Sequence, residues 1–271
     1  QEITRQTVEW ARQLGFHSIN LDLIYGLPHQ SYSSFADTVD TVIDISPDRL
    51  AVFNYAHVPW LKKHQNILAG EALPTPEERL SILEMTIEKL IGAGYVYIGL
   101  DHFAKPEDQL AVAQREGTLY RNFQGYSTKA GCDVYAFGLS AISQFENIYA
   151  QNLKTLKDYY VRIDEGRAAT NVGYRMTADD HIRKETIMQL MCNLEVSKRR
   201  IEERFSINFD EYFRADLPKL DEFRDNGLVS VGDDAVRVIG SGILILRNIA
   251  MCFDAYLEQM MGEKPVFSKT V

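Results

Sequence analysis

The sequence predicts an α/β protein, built on a parallel sheet or barrel and followed by a mainly helical segment. Three observations predict it. The run Ile19-Asn20-Leu21-Asp22-Leu23-Ile24-Tyr25-Gly26-Leu27-Pro28 reads as a short buried strand ended by a Gly and a Pro. A helical pattern precedes it and another follows, the order from which parallel sheets are made. Further strand-like runs then end, one after another, in polar side chains: Asp22, then His57, then Asp101 and His102. In parallel α/β folds chemistry gathers at the C-terminal ends of strands.

The elements follow in order. Gln1 to Leu14 reads as a helix, with Ile3, Val8, Ala11 and Leu14 as its apolar positions. In the strand that follows, successive side chains alternate faces. Ile19, Leu21, Leu23 and Tyr25 share one face; Asn20, Asp22, Ile24 and Gly26 share the other. A carboxylate on a buried strand needs donors. Asp22 could bond backbone amides or cap a neighbouring helix, or it could accept from a ribose hydroxyl or an ammonium group of a ligand.

Ser33 or Ser34 is the expected cap of a helix over Phe35 to Ile45, which stops near Ser46-Pro47. Arg49 to Ala56 is a second apolar strand, leading to His57, and Trp60 to Gly70 an irregular, partly helical connection. Thr75-Pro76-Glu77-Glu78 is a strong helix start: a capping Thr, Pro at the first position, acids in the first turn. This helix runs to about Ile91 and stops at Gly92-Ala93-Gly94; Tyr95 to Leu100 is a third strand.

Lys105 to Ser127 is polar and loop-rich, with a short helix over Asp108 to Glu116. Asn122-Phe123-Gln124-Gly125-Tyr126 interleaves aromatics and amides beside a Gly that permits close backbone approach. Gly138 to Ser143 is a small-residue stretch, either a tight packing turn or a ligand wall. Helices are expected over Leu153 to Ile163, Asp179 to Met191 with Thr177 as cap, Arg199 to Phe205, Phe209 to Phe213, Leu217 to Asn226 and Ser241 to Met260. A hairpin is expected from Leu228 to Val238. Helices plus a small hairpin resemble a winged-helix module, and without a basic stripe this one reads as a packing or lid domain.

The chain has 271 residues, 45% hydrophobic and 25% charged, the composition of an ordinary soluble globular protein with a sizeable core. A formal net charge of -9 argues against nucleic acid or an anionic membrane as partner. Cys132, Cys192 and Cys252 are far apart and share no metal-ligand spacing, so free thiols in a reducing cytoplasm are expected. No apolar run is long enough to span a bilayer. The chain starts within a helix, without a start methionine and without an earlier strand to pair with the first. It is therefore expected to be the C-terminal portion of a longer protein, with one edge of that strand bare, covered by another copy, or disordered.

NLDLIYGLPHQ, PDRLAVFNYAHVP, GYVYIGLDHFAKPEDQLAVAQREGTLYRNFQGYST and RNIAMCFDAYL together resemble one family over essentially the whole chain. It is the oxygen-independent coproporphyrinogen III oxidase (coproporphyrinogen dehydrogenase) family of radical S-adenosylmethionine enzymes. The first motif is shared with haem-chaperone-like relatives; DHFA, QREG and NFQGYST are more specific to the oxidase. The resemblance implies the last strands of an incomplete (β/α) radical SAM barrel over 1–104, an active-site loop and extension region over 105–148, and a winged-helix-like C-terminal domain over 149–271. It implies a cytoplasmic enzyme of haem biosynthesis, a monomer in full-length form, with an unidentified electron donor and acceptor. The enzyme converts two propionates of coproporphyrinogen III to vinyl groups, giving protoporphyrinogen IX by a 5′-deoxyadenosyl radical mechanism.

The cofactors implied are two S-adenosylmethionine molecules and a [4Fe-4S] cluster held by a CxxxCxxC triad. The triad is absent here, so no ligand carries over and this chain alone is expected to be inactive. By motif match Asp22, Ile24, Ala56, Phe123, Gln124 and Ile142 fall on family cofactor contacts. The tetracarboxylate substrate needs cations, for which Arg115, Arg121 and Lys129 are candidates. The alternatives are a non-catalytic porphyrin-binding or docking module, or a haem-chaperone-like relative.

Overall fold

A computed structural model describes residues 2–68 and 72–257. Two compact units divide the chain: unit one takes the described residues among 1–117, 243–248 and 255–271, unit two those among 118–242 and 249–254.

In unit one, α1 (Glu2–Gln13) buries Val8 while Ile3 and Leu14 stay exposed. β1 (Asn20–Tyr25) and β2 (Arg49–Asn54) pair in parallel, Asp22 opposite Ala51 and Ile24 opposite Phe53. Between them α2 (Tyr32–Ile45) starts at Ser31, not at Ser33 or Ser34. The Ser31 hydroxyl accepts from the Ser34 amide and the Ser34 hydroxyl from the Ser31 amide, so the cap lies two or three residues earlier than expected. α2 ends on Ser46 in the left-handed region at φ 57°. A 3-10 turn at Lys63–Ile67 supplies the helical part of the irregular connection, whose end at Gly70 lies outside the described residues. α3 (Pro76–Gly92) begins at Thr75 with Glu78 closing the capping box, as its sequence requires.

The third strand departs from expectation. β3 (Val96–Gly99) does not join β2. The chain reverses through Leu100, at φ 51°, and β4 (His102–Ala104) inserts antiparallel between β2 and β3. The order is β1-β2-β4-β3, with β1 at the edge of the described sheet. One face of this sheet is the core: Tyr25, Leu50, Val52 and Phe103 pack with Phe35, Val39 and Val42 of α2 and Ile82, Leu83 and Leu90 of α3. Each fully buried Leu or Ile there contributes roughly 2 kcal/mol. α4 (Gln109–Arg115) follows, capped by Asp108. Asp108 also takes the Arg49 Nε at 2.9 Å and the Ser18 hydroxyl at 3.0 Å, tying the start of β2 to α4.

In unit two, β5 (Tyr120–Asn122) and β6 (Gly125–Ser127) form a hairpin within a stretch expected to be loop. β7 (Ile142–Gln144), β8 (Ile148–Asn152) and β9 (Thr170–Arg175) form an antiparallel sheet, with α5 (Leu156–Asp164) between β8 and β9. β9 is exposed along its whole length, so no alternation of burial marks it in the sequence.

α6 (Ala178–Asn193) starts at the expected Thr177 cap. β10 (Glu195–Ser197), α7 (Lys198–Phe205), α8 (Phe209–Tyr212), a 3-10 turn at Leu217–Leu220 and α9 (Asp221–Asp225) follow. β11 (Val229–Val231) and β12 (Ala235–Val238) make the expected hairpin, which β10 extends to the order β10-β12-β11. This is a wing on a helical body, centred on buried Phe209, Phe213 and Phe253. Arg183 holds it together: Nη1 donates to Asp216 and to the Phe253 carbonyl, Nε to Asp179, each at 2.9 Å. The closing helix is shorter than expected, a 3-10 turn at Gly240–Ile245 and then α10 (Leu246–Met251); its expected end at Met260 lies outside the described residues.

Candidate functional site

The face of unit one's sheet opposite the core carries Asn20, Asp22 and Ile24 from β1, Ala51 and Phe53 from β2, and His102 from β4. The pairing register puts Asp22, Ala51 and His102 in one row across it. Strand spacing sets Asp22 and His102 about 10 Å apart. The assignment of Asp22 and Ile24 to one face therefore holds. The expectation that the strand is buried is met in part on the other face, where Tyr25 is buried and Leu21 and Leu23 partly so, while Asn20, Asp22 and Ile24 are exposed.

Exposure changes the account of Asp22. Its carboxylate needs no buried donors, and it neither caps a helix nor takes a backbone amide among the described residues. Oδ1 accepts from the Asn20 side chain at 2.6 Å, leaving acceptor capacity toward the open face. Beside it Ile24 is 46% and Phe53 37% exposed, and the Phe53 ring stands edge-on to His102 at 6.2 Å. A carboxylate flanked by bare apolar side chains suits a ligand with hydroxyls on one part and a flat apolar ring on another.

The loops leaving β1 and β2 complete the rim. The Tyr55 amide donates to the Tyr25 carbonyl at 2.8 Å, carrying the pairing past the strand end, with Ala56 next along the chain. Ala56 is exposed. His57 packs on Tyr55, ring centroids 6.1 Å apart, and its buried Nδ1 has no hydrogen-bond partner among the described residues. Asn54 Oδ1 and Arg79 Nε, both buried, are likewise without one. Asp101 lies at the β3–β4 reversal, where its carbonyl accepts from the Val52 amide at 2.7 Å and its carboxylate faces Arg247 at 3.9 Å. Burial, and next the Asp101 charge, push the Tyr25 and Tyr97 hydroxyls well above the ordinary phenol range, so both stay protonated, and Tyr97 donates to the Leu100 carbonyl at 2.6 Å.

In unit two, Phe123 and Gln124 are the two turn residues of the β5–β6 hairpin. The Gln124 amide donates to Asn122 Oδ1 at 2.9 Å, which stiffens the tip. Phe123 is exposed and meets Tyr149 of β8 edge-on at 5.4 Å. Tyr149 pairs with Gln144, whose side chain donates to the Tyr120 hydroxyl at 2.8 Å. Ile142 lies two residues before Gln144 on β7, opposite Gln151 of β8. Just before it, the Ser140 amide donates to the Leu153 carbonyl at 2.8 Å.

The three cations differ. Arg115 and Lys129 are exposed. Arg121 turns toward the end of α6, its guanidinium 5.1 Å from the Tyr126 ring centroid and its charge felt at the Cys192 thiol. Its Nη1 is buried without a hydrogen-bond partner among the described residues.

Cys132 is exposed, whereas Cys192 and Cys252 are buried. No group of three metal-binding side chains occurs among the described residues, so an iron–sulfur cluster does not fit these side chains. No helix among the described residues is long and apolar enough to cross a membrane.

Residues 176–245 match the family model described as the HemN C-terminal domain. The chain is 43% identical over 270 residues to the oxygen-independent coproporphyrinogen III oxidase of Synechocystis, covering 98% of this chain and 58% of that protein. It is 48% identical over 249 residues to that of Escherichia coli K12, covering 92% and 54%. To that of Thermostichus vulcanus it is 44% identical over 267 residues, covering 98% and 82%. The chain thus spans little more than half the length of the first two relatives. A solved structure described as "Coproporphyrinogen III oxidase (HemN) from Escherichia coli is a Radical SAM enzyme" matches with a TM-score of 0.91 at 46% identity, over 94% of this chain and 59% of that one.

Proposed function

The chain belongs to the oxygen-independent coproporphyrinogen III oxidase family, and from that premise we propose that it carries the S-adenosylmethionine-facing wall of such an enzyme. The reaction proposed is oxidative decarboxylation of two propionates of coproporphyrinogen III to vinyl groups, giving protoporphyrinogen IX in the cytoplasm. When bound, S-adenosylmethionine supplies the one-electron chemistry that starts hydrogen removal from a propionate.

The residues here bind and orient. The Asp22 carboxylate accepts from ribose hydroxyls or the ammonium group, Ile24 covers an apolar ring, and Ala56 lets the ligand approach the backbone. Phe123, Gln124 and Ile142 are the corresponding contacts proposed in unit two. The single observation behind this reading is the face on which a solvent-facing carboxylate stands in register beside exposed Ile24 and Phe53.

Asp22→Ala in the intact enzyme tests it. Loss of a charge-assisted hydrogen bond is worth about 1.5–3 kcal/mol, so S-adenosylmethionine affinity falls about ten- to a hundredfold while the unfolding midpoint holds. Unchanged affinity overturns the assignment.

A second reading, that this chain by itself binds a porphyrin or a partner without catalysis, is favoured by the absence of a cluster-ligand group among the described residues. Iron and sulfide reconstitution separates the two. A brown chain that cleaves S-adenosylmethionine unaided excludes the non-catalytic reading.

A further inference from the structure

Both parallel strands of unit one leave the sheet through a loop caught by a glutamine. After β1, Gln30 Oε1 accepts from the Gly26 amide at 2.6 Å and the Leu27 amide at 3.2 Å, while Nε2 donates to the Ile24 carbonyl at 3.2 Å. After β2, Gln65 Oε1 accepts from the Val58 amide at 2.7 Å, while Nε2 donates to the Ala56 carbonyl at 3.0 Å. The two glutamines come from unrelated local structures, one preceding α2 and one within a 3-10 turn. Each makes the same bridge, accepting from an outgoing N–H (Gly26, Val58) and donating to the carbonyl two residues before it (Ile24, Ala56).

The chemistry explains the residue type. Where a strand ends, its backbone N–H and C=O groups lose their ladder partners and need others. A primary amide is the side-chain group that offers an acceptor and a donor at one end of a neutral chain. The carbonyls so held belong to Ile24 and Ala56, two of the positions proposed to touch S-adenosylmethionine. Without the bridge, Gly26, at φ +82°, would be a freely moving joint two residues after Ile24.

We propose that Gln30 and Gln65 are positioning residues, a matched pair of amide clamps that hold the backbone at Ile24 and Ala56 in the arrangement the adenosyl group meets. The proposal rests on the cofactor reading above. Its effect is preorganisation: a clamped loop loses less freedom when the ligand binds.

The test uses the intact enzyme with Gln30→Leu, Gln30→Glu, Gln65→Leu, Gln65→Glu and Asp22→Ala. It reads amide hydrogen exchange and equilibrium binding of S-adenosylhomocysteine, a non-reacting analogue. Leu removes both halves of a clamp; Glu keeps the acceptor and loses the donor. Exchange at Gly26 and Leu27 in Gln30→Leu, and at Val58 in Gln65→Leu, rises on the order of fivefold, with a smaller rise in the Glu variants. Analogue affinity falls in the same order, while exchange at Leu50 and Val52 in the core holds and reports intact folding.

Unchanged exchange at those amides overturns the clamps. Faster exchange with unchanged affinity, while Asp22→Ala weakens binding, makes them loop braces and overturns the positioning role alone. Unchanged affinity in Asp22→Ala overturns the cofactor reading and the inference with it.

Discussion

Gly26→Ala should harm ligand binding more than it harms the fold. Gly26 follows β1 directly and sits at φ +82°, where an L side chain costs about 1–2 kcal/mol. A Cβ there would lie 3.1 Å from Arg79 Cδ and 3.1 Å from Asn54 Oδ1. Both are side-chain atoms, and Asn54 Oδ1 has no hydrogen bond among the described residues to lose, so each can withdraw by a few tenths of an ångström. The total is about 2 kcal/mol, a shift of about 5 °C in the midpoint for a unit of this size. The local consequence is larger. Relaxing the strained turn swings the Gly26 amide off Gln30, 2.6 Å away, and frees the backbone next to Ile24. S-adenosylmethionine affinity in the intact enzyme should therefore fall more than about thirtyfold, beyond what the lost stability explains. Gly92→Ala is the control: Gly92 ends α3 at ordinary φ with nothing within 4 Å of a new Cβ, and that variant should gain up to about 1 kcal/mol. Thermal melts and ligand titration measure both. A Gly26→Ala protein that melts and binds like the parent would refute the reasoning.

Asp108→Ala should be among the more damaging single changes in unit one. It removes the α4 cap and leaves Arg49 Nε without the carboxylate 2.9 Å away, a loss of about 3 kcal/mol that urea denaturation at neutral pH reads directly. The three thiols should separate by reactivity. Burial pushes the Cys192 thiol up to about 12 and the Cys252 thiol up to about 11, so both stay protonated at pH 8, while exposed Cys132 reacts at once with a thiol reagent. In the native state the buried pair should label only after opening, faster as pH rises; immediate labelling of all three contradicts the burial.

The legible parts of this chain are those with local physical signals. The Thr75 and Thr177 caps, the alternation along β1 and the Gly232-Asp233-Asp234 turn each stand within a few residues, and the structure uses them as written. The family was legible too, because the strings that carry it are contiguous. Two features needed the folded chain. β4 is only three residues long and follows a reversal at Leu100, an apolar residue at φ 51° where Gly or Asn would be the usual cue. Its identity as a strand comes from β2 and β3 on either side of it. β9 is exposed throughout, so burial imposes no pattern on it.

The glutamine clamps show the same divide at the candidate site. Asp22 stood out as a carboxylate near the end of an apolar strand, and Ile24 and Ala56 through the motifs that carry the family resemblance. Gln30 and Gln65 looked like ordinary loop polar residues, since what distinguishes them is where two backbone groups lie after folding. The sequence alone determined the helix caps, the face on which Asp22 stands and the family. The tertiary structure decided the antiparallel insertion of β4, the solvent exposure of Asp22 and which side chains hold the strand-end loops. Caps and alternation are set by forces acting over a turn or two of chain, whereas strand order and loop bracing depend on groups far apart in sequence that meet only once the core has closed.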